Sequence, residues 1–387
     1  MLSGYEDCQF ETDCDFSGLK TDIKPIVFYL PQFHTIPEND RWWGTGFTEW
    51  TSTRKAKPLF QGHYMPRTPH KSIGYYDLSD YHVLEKQAEL AAKHGVFGFC
   101  FYYYWFSGKR LLEKPVDILL QHPKIQLNFC LCWANENWTR TWDGLEKSIL
   151  IKQRYTENDP KDFILDLKKY LDDPRYIRID GKPLVLVYAP KSIPQPKEVF
   201  QVWRETAQES GIGDFFLAVC RTFGENARGL GILDAVDAEV EFPPHNVDLS
   251  TYRDVVETLK GSGHLMSYST AANKWKYDYS VKPVFRTVML NWDNTARRAD
   301  GWCSYADFTL RDFRQWIRKA IRDLRINLPT DRRFLFVNAW NEWGEGTYLE
   351  PDEKYGYMNI NALSRAIFNL HITTQSQSDI QDFPSDL

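Results

Sequence analysis

Several kinds of segment are missing from this 387-residue sequence. No apolar run reaches the roughly 18 residues that a membrane-spanning helix needs. No block of lysine and arginine stands out and the formal net charge is −5, so the electrostatic footprint of a nucleic-acid or anionic-membrane partner is absent. The first residues are acidic and lack a basic region followed by an apolar stretch, so no secretion signal is visible. These absences predict a soluble chain that binds neither nucleic acid nor a membrane.

Glycine-rich loops for nucleotide phosphates are also absent. Neither G-x-G-x-x-G nor G-x-x-x-x-G-K-[ST] occurs, and the first predicted strand is followed by PQFHTIPENDRWWG. A doubly wound sheet is expected to carry such a loop after its first strand, so that fold is the second choice here. We expect no cofactor.

Cysteine is sparse and odd in number. Of the seven cysteines, Cys100, Cys130, Cys132 and Cys220 lie in apolar, strand-like runs, where a reduced thiol behaves as a small hydrophobe. Reduced thiols and the missing secretion signal together predict a cytoplasmic location. Cys130 and Cys132 form a C-x-C pair with no matching pair elsewhere, so we expect no zinc and no other metal site.

Short apolar runs, by contrast, recur along the chain and alternate mostly with amphipathic segments. The eight predicted strands cover residues 25–30, 97–105, 125–133, 183–189, 215–221, 235–242, 283–290 and 334–340. The predicted helices cover residues 79–94, 163–171, 198–209, 308–324 and 360–370. This alternation predicts a (β/α)8 barrel with long βα loops, because near-continuous apolar strands need both faces covered. The predicted organisation is an irregular segment over 1–23, one barrel domain over 24–372 and a disordered polar tail over 373–387.

Aromatic residues are abundant, with 14 Trp, 21 Tyr and 24 Phe making up 15% of the chain, more than a core needs. In a barrel the active site forms at the C-terminal ends of the strands, and seven of the eight predicted strand ends carry aromatic, amide or acidic side chains. Rings can cover the apolar faces of sugars, while amides and carboxylates bind hydroxyls. The candidate glycan-binding residues are Gln32, His34, Trp43, Glu49, Trp50, Tyr103, Trp133, Asn135, Glu136, Trp138, Arg140, Tyr188, Glu241, Trp292, Asn341 and Trp343. Packing against the helices is the alternative for rings in 102–104, where alternation turns some side chains outward.

Glu342 and Glu345 are the candidate catalytic pair. They lie three residues apart where the last strand breaks into a glycine-containing turn, so a local bend can bring both carboxyls to one cleft. Glycosidic cleavage uses two carboxyl groups, one to protonate the leaving oxygen and one to act at or near the anomeric carbon. A surface pair that caps a helix or pairs with arginine is the alternative, and Glu136, between two asparagines, is the main competitor for a catalytic role.

Long motifs in this sequence resemble one family. The chain is similar to the WbsX-type family, described both as glycoside hydrolase family 99-like and as glycosyltransferases of O-antigen or surface-polysaccharide assembly. The resemblance covers roughly residues 24–372. It is carried by YLPQFHTIPENDRWWGTGFTEW, KAKPLFQGHYMPR, FCFYYYWFSGKRLLEKP, FCLCWANENWTRTWDG and NAWNEWGEGTYLEPD.

More distant relatives, the endo-α-1,2-mannosidases of glycoside hydrolase family 99, are metal-independent (β/α)8 enzymes with an E-W-H-E-G-T motif after the last strand. Here that stretch runs from Glu342 to Thr347. The resemblance implies that Glu345 is the general acid/base and that Glu342 deprotonates the sugar 2-hydroxyl, giving a 1,2-anhydro intermediate with net retention. Gly344 stands where the mannosidases have histidine, so the resemblance does not extend to the identity of the sugar.

Three functions are weighed against one another. The first is a glycoside hydrolase or transglycosylase acting on a bacterial polysaccharide or O-antigen-type glycan. The second is a glycosyltransferase, although the only Asp-x-Asp triplet, Asp13 to Asp15, lies in the irregular N-terminus rather than after a strand. The third is a non-catalytic carbohydrate-binding barrel, which would not need two carboxylates at one strand end.

Overall fold

Parallel strands in chain order form a barrel in this computed structural model, which describes residues 7–140, 145–247, 254–258 and 261–370. The side chains of Arg140, 145–148 and 254–258 lie outside this description. The barrel strands are β1 Lys24–Tyr29, β2 Gly98–Phe106, β3 Asn128–Trp133, β4 Lys182–Val187, β5 Phe216–Arg221, β6 Ala238–Glu241, β7 Val284–Phe285 with Thr287–Met289, and β8 Phe334–Asn338.

The ring closes through its seventh strand. Each strand from β1 to β5 pairs in parallel with the next, and β8 returns to pair with β1, Lys24 opposite Phe334. Arg286 divides β7, whose first segment pairs with β6 and whose second pairs with β8. Every residue of β5 and β8 is buried, as expected for strands covered on both faces. The predicted (β/α)8 barrel is therefore confirmed, and all eight predicted strands are present.

Helices cover the outside of the barrel. Those that follow barrel strands are α3 Tyr81–Lys93, α4 Lys114–Gln121, α5 Asp159–Leu171, α6 Pro196–Glu209, α7 Tyr268–Lys274, α8 Leu310–Asn327 and α9 Met358–Ile367. In α8, Phe313, Ile317, Ala320 and Leu324 recur at helical spacing and are buried, while the Thr309 hydroxyl caps the first turn by accepting from Asp312 N. Between β5 and β6, residues 222–237 form turns instead of a helix.

Short elements lie in the loops that connect the barrel strands and the helices. Two helices, α1 Pro37–Trp43 and α2 Glu49–Lys55, lie in the long loop after β1, where the sequence predicted none. The additional strands are Lys109–Leu111, Trp138–Arg140, Leu145–Ile151, Arg178–Ile179, Asp254–Thr258, Gly261–Ser267, Trp302–Ala306, Asn341–Glu342 and Thr347–Tyr348. Single 3-10 turns lie at Pro190–Ser192, Asn294–Ala296, Thr330–Arg332 and Trp343–Glu345.

The segment 7–23 before β1, the N-terminal strap, is irregular but packs on the barrel. The Asp7 carboxylate accepts hydrogen bonds from the first backbone N–H groups of α8, at 2.8 and 2.9 Å. Glu11 forms an ion pair with Arg365 of α9 at 2.7 Å, and Phe16 is buried. The predicted polar tail, 373–387, lies outside the described residues.

Three further observations bear on the sequence predictions. Among the described helices, none is both long and apolar enough to cross a membrane. The seven cysteines, all within the described ranges, are free thiols, and the four in the barrel strands are buried. In the same ranges, no three His, Cys, Asp or Glu side chains are grouped as a metal site would require.

Candidate active site

A cavity of about 340 Å³ opens at the C-terminal ends of the barrel strands. This volume is within the range that small-molecule and saccharide sites occupy. Its aromatic walls come from Trp43, Tyr102, Tyr104, Trp138, Tyr188, Phe242 and Trp292. Glu136, Glu342 and Glu345 contribute carboxylates to the same cavity.

The turn after β8 carries Glu342 and Glu345. It forms one 3-10 turn, Trp343–Glu345, and leaves it through Gly346 with φ of 63°. A Cβ on Gly346 would come within 2.9 Å of the Asp293 Cβ atom and 3.0 Å of the Arg67 side chain, so glycine is required for both conformation and space. This sharp turn places both carboxylates on the same cavity.

Glu350 anchors the turn through hydrogen bonds to its carboxylate. Its buried carboxylate accepts hydrogen bonds from Trp340 Nε1 at 3.0 Å, Trp343 Nε1 at 2.7 Å, Gln87 Nε2 at 2.7 Å and the Tyr76 hydroxyl at 2.9 Å. Burial raises the pKa of Glu350 to about 7, although these donors oppose the shift. The two tryptophans of the motif therefore position the turn and do not line the cavity.

Arg297 lies between the carboxylates of the turn. Its Nη2 is 2.7 Å from Glu342 Oε2, its Nη1 is 2.7 Å from Glu345 Oε1, and its Nε is 2.8 Å from Glu49 Oε1. Burial raises the pKa of Glu342 to about 8; Arg297 lowers it, and the charges of Glu345 and Glu49 raise it. Burial likewise raises the pKa of Glu49 against the effect of Arg297.

Asp293, in the loop that follows β7, supports the same turn. Its backbone N–H donates to Glu345 O at 2.6 Å, and its carboxylate lies 2.7 Å from His63 Nε2. Leu59 N donates to His63 Nδ1 at 3.0 Å, so Nδ1 is an acceptor and Nε2 is the ring nitrogen that donates to Asp293. Although burial opposes it, this hydrogen bond helps hold the pKa of Asp293 below its usual value.

Eight of the predicted residues line the cavity. Besides Glu342 and Glu345, they are Gln32, Trp43, Glu136, Trp138, Tyr188 and Trp292. The Tyr188 hydroxyl is 2.9 Å from His245 Nε2, and burial lowers the pKa of His245 to about 4, so this ring is neutral at physiological pH. Burial, then the Glu345 charge, raises the pKa of Glu136 to about 7, and its side chain is open to the solvent of the cavity.

Other predicted residues support the site from the protein interior. Asn341 exchanges hydrogen bonds of 2.8 and 3.0 Å with the backbone of Leu30, and Asn135 does the same with Ala189 at 2.8 Å. His34, Trp50 and Trp343 are buried outside the cavity lining, as is Glu49 beneath it. The Trp50 Nε1 donates to Tyr76 O, and burial lowers the pKa of His34 to about 4.

Tyr103 and Trp133 point away from the cavity. The Tyr103 hydroxyl donates to Asp166 of α5, whereas its neighbours Tyr102 and Tyr104 face the cavity. Trp133 packs on Phe163 at 4.6 Å and lines a separate cavity of about 290 Å³ between α5 and α6. Strand alternation explains both placements, since alternate side chains lie on opposite faces.

Two predicted residues remain. Glu241 is buried at the end of β6, where it forms an ion pair of 2.9 Å with Arg286; burial raises its pKa to about 7 despite that partner. Glu241 is not among the residues that line the cavity. Arg140 ends a short strand, and its side chain lies outside the described residues.

The sequence prediction missed Arg297 and several lining residues. The latter include Asn39, Asn294 and Arg298, whereas Tyr102, Tyr104, Asn137 and His245, which also line the cavity, lie at predicted strand ends but were not among the candidates. Arg297 follows the 3-10 turn beyond β7, in the stretch NWDNTARRADGW, where only the residues at the strand end were considered. A nearby cation could still have been expected, because Glu49, Glu342 and Glu345 were all predicted at one site and buried carboxylates need a positive partner.

Comparison with known proteins places the chain in a family. Residues 25–363 match the family described as glycosyltransferase WbsX. The chain belongs to the WbsX family. Proteins described as uncharacterized protein WxcX, from two strains of Xanthomonas campestris pv. campestris, are 40% identical over 349 residues, which is 88% of this chain and 49% of theirs. The chain thus spans about half the length of the curated relatives it matches.

Solved structures share the barrel at low sequence identity. The GH99 endo-alpha-mannosidase from Bacteroides thetaiotaomicron aligns with a TM-score of 0.54 and 15% identity, over 90% of this chain and 97% of that one. A glycoside hydrolase-like protein aligns with a TM-score of 0.57 and 12% identity, over 94% and 99% of the two chains. At these identities the likeness concerns the fold of the WbsX chain.

Proposed function

We propose that this WbsX protein is a retaining glycoside hydrolase or transglycosylase that acts on a bacterial polysaccharide or O-antigen-type glycan. The observation that carries the proposal is that Glu342 and Glu345 lie together on one aromatic-walled cavity at the C-terminal ends of the barrel strands. The barrel shared with a protein described as a GH99 endo-alpha-mannosidase supports it.

In the first step, Glu345 gives its proton to the glycosidic oxygen as the bond from that oxygen to the anomeric carbon breaks. Glu342 takes the proton of the sugar 2-hydroxyl, and the 2-oxygen bonds to the anomeric carbon. The products are the free leaving alcohol and a 1,2-anhydro sugar, with Glu345 now ionised and Glu342 protonated.

In the second step, Glu345 takes a proton from water, or from a sugar hydroxyl in transglycosylation, as that oxygen attacks the anomeric carbon. The bond between the anomeric carbon and the 2-oxygen breaks, and Glu342 returns its proton to that oxygen. Two inversions give net retention. The pair needs one proton in total, and the raised pKa of Glu342 supports a pair that holds one near neutral pH.

We expect that Glu342→Gln and Glu345→Gln each lower turnover by roughly 100-fold or more, the effect typical of losing an acid/base group. The measurement is hydrolysis of a panel of bacterial polysaccharides and oligosaccharides, with product analysis and NMR of the first anomer formed. Glu353→Gln is the matched control, because Glu353 is an exposed glutamate of the same loop. Unchanged turnover in both cavity variants would contradict the assignment, and an inverted first product would contradict the anhydro route.

A glycosyltransferase is the second candidate, favoured by the description of the matching family. It would use the same cavity to transfer a sugar from an activated donor. Calorimetric titration with nucleotide sugars tests it: micromolar binding that Trp292→Ala weakens would favour the transferase, whereas hydrolysis without donor binding would favour the hydrolase. Because the chain covers half of its curated relatives, the activity of a longer protein would be tested separately.

A further inference from the structure

One guanidinium serves three carboxylates in this site. Each nitrogen of Arg297 lies 2.7 or 2.8 Å from a different partner: Nε from Glu49, Nη2 from Glu342 and Nη1 from Glu345. The partners come from separate parts of the chain, since Glu49 begins α2 and the other two lie after β8. The cluster therefore joins the long first loop to the turn that carries the catalytic pair.

The charges of this cluster do not balance. The side chains of Glu49, Glu342 and Arg297 are 0%, 6% and 15% exposed, and that of Glu345 is 22% exposed, so solvent compensates only a small part of their charge. Three ionised carboxylates beside one cation would leave two uncompensated negative charges, and buried charge is costly unless paired. The cluster must accordingly bind protons more readily than isolated glutamates do, in agreement with the raised pKa of Glu49 and Glu342.

The absence of a side chain at Gly344 leaves room for the ion pair between Glu49 and Arg297. A Cβ at position 344 would lie 1.8 Å from Glu49 Oε1 and 2.8 Å from Arg297 Nε. No side chain can occupy that space while Glu49 and Arg297 are paired. Glu49 thus fills the volume that a residue at 344 would take and holds Arg297 through Nε, which leaves one terminal nitrogen for each catalytic carboxylate.

We propose that Glu49 and Arg297 are positioning residues that divide one proton between Glu342 and Glu345. The inference rests on the proposed function, in which negative charge passes from Glu342 to Glu345 in the first step and back in the second. Because Arg297 contacts both carboxylates, it stabilises whichever one is ionised without moving. A cation fixed before the reaction avoids the cost of reorienting charge during it.

Other ionisable groups face the pair from neighbouring strands. Glu136 follows β3, Tyr102 and Tyr104 belong to β2, and Tyr188 follows β4. The same cavity is lined by His245, whose pKa burial lowers to about 4, and by the cationic side chain of Arg298. Burial raises the pKa of the three tyrosines well above the ordinary value, so they stay neutral in the working range. The pKa of Glu136 is raised to about 7, as are those of Glu241 and Glu350, so the signals of these three glutamates must be identified separately with their own Gln variants.

The test is a pH titration of the glutamate side-chain carboxyls by carbon-13 NMR in the empty protein, which needs no substrate. Signals are assigned with Glu136→Gln, Glu342→Gln and Glu345→Gln. Glu49→Gln removes a negative charge, so the higher pKa of the pair should fall by about one unit. Arg297→Met removes the positive charge, so the higher pKa of the pair should rise by one unit or more. Glu353→Gln should leave the titration unchanged.

Arg297→Lys separates the effect of the three contacts made by the guanidinium from the effect of its positive charge. Lysine restores the positive charge but cannot reach three partners with one nitrogen, so the pKa values should return toward those of the natural protein while kcat stays at least tenfold low. This variant and Glu49→Gln also keep the inference testable if Arg297→Met fails to fold. On a cleaved glycan, the high-pH limb of kcat/KM should move in the same directions as the NMR titration.

The possible failures are separable. Shifts in the same direction for Glu49→Gln and Arg297→Met, or no shift in either, would overturn the positioning role even if the protein cleaves glycans. If no glycan is cleaved or transferred, the proposed function fails, and opposite NMR shifts would then support the charge coupling without the chemistry. Full kcat in Arg297→Lys would contradict the requirement for a three-way contact.

Discussion

At the scale of single residues, the site depends on two glycines, because a Cβ atom at either position would collide with the residues beside it. The pairing of Glu49 with Arg297 needs Gly344, and the bend after Glu345 needs Gly346. The sequence showed these glycines inside the motif, but not what fills the space beside them. Glu49 lies almost 300 residues before the motif, and only the folded chain brings it there.

We expect Gly344→Ala to lower the free energy of unfolding by about 1–3 kcal/mol, the usual cost of overpacking a filled interior. It should also reduce turnover, because Arg297 must move away from the carboxylates. Gly18→Ala is the matched control, since a Cβ there meets nothing within 4 Å. Urea denaturation measures both variants, and equal stability for the two would contradict the steric account.

At the scale of elements, the strands were predictable and the side-chain directions were less so. All eight apolar runs form barrel strands because their composition fits burial on both faces. Helices α1 and α2 were missed because they are short and polar, and the buried face of α2 packs on a distant part of the chain, with Trp50 against Trp343 of the turn after β8. Tyr103 and Trp133 were assigned to the cavity because they lie near strand ends, whereas the pleat turns them to the helix side.

Arg286 joins three elements where β7 is interrupted. Its guanidinium lies 2.9 Å from Glu241 of β6 and 2.5 Å from Asp323 of α8, and all three side chains are buried. Glu241 thus has a structural partner, although a role in glycan binding was predicted for it. The interruption of β7 coincides with the residue that ties the strand to its neighbours.

Arg286→Met should lower the free energy of unfolding by about 3–5 kcal/mol, because two buried carboxylates would lose their cation. Arg322→Met, an exposed position on α8 beside Asp323, should change it by no more than about 0.5 kcal/mol. Thermal and urea unfolding provide the measurement. A small effect at Arg286 would mean that the carboxyls are protonated or solvated there.

At the scale of the whole molecule, the barrel carries several buried carboxyls whose pKa is raised. Glu241 and Glu350 reach about 7 and Glu342 about 8. A group with a raised pKa in the folded state contributes stability below its unfolded pKa, and that contribution is lost as the pH rises through the folded value. Stability should consequently fall as the pH rises through 7 and 8.

Glu342→Gln should reduce this dependence. Between pH 7 and 9 the unfolding free energy of the variant should fall by about 1 kcal/mol less than that of the natural protein, since one pKa unit corresponds to about 1.4 kcal/mol. The comparison uses urea unfolding at both pH values, with Glu353→Gln expected to behave like the natural protein. Identical pH dependence in Glu342→Gln would show that Glu342 titrates at its ordinary pKa.

The close approach of Gly344 to Glu49 also constrains how this motif could change during evolution. A histidine at 344, as in the mannosidase motif E-W-H-E-G-T, collides with Glu49, so that single exchange is disfavoured while Glu49 remains. A smaller residue at 49 removes the collision but leaves Arg297 without its third partner. A substitution at 344 therefore requires an earlier or simultaneous substitution at 49. The residues at 49 and 344 should accordingly vary as a pair among related sequences.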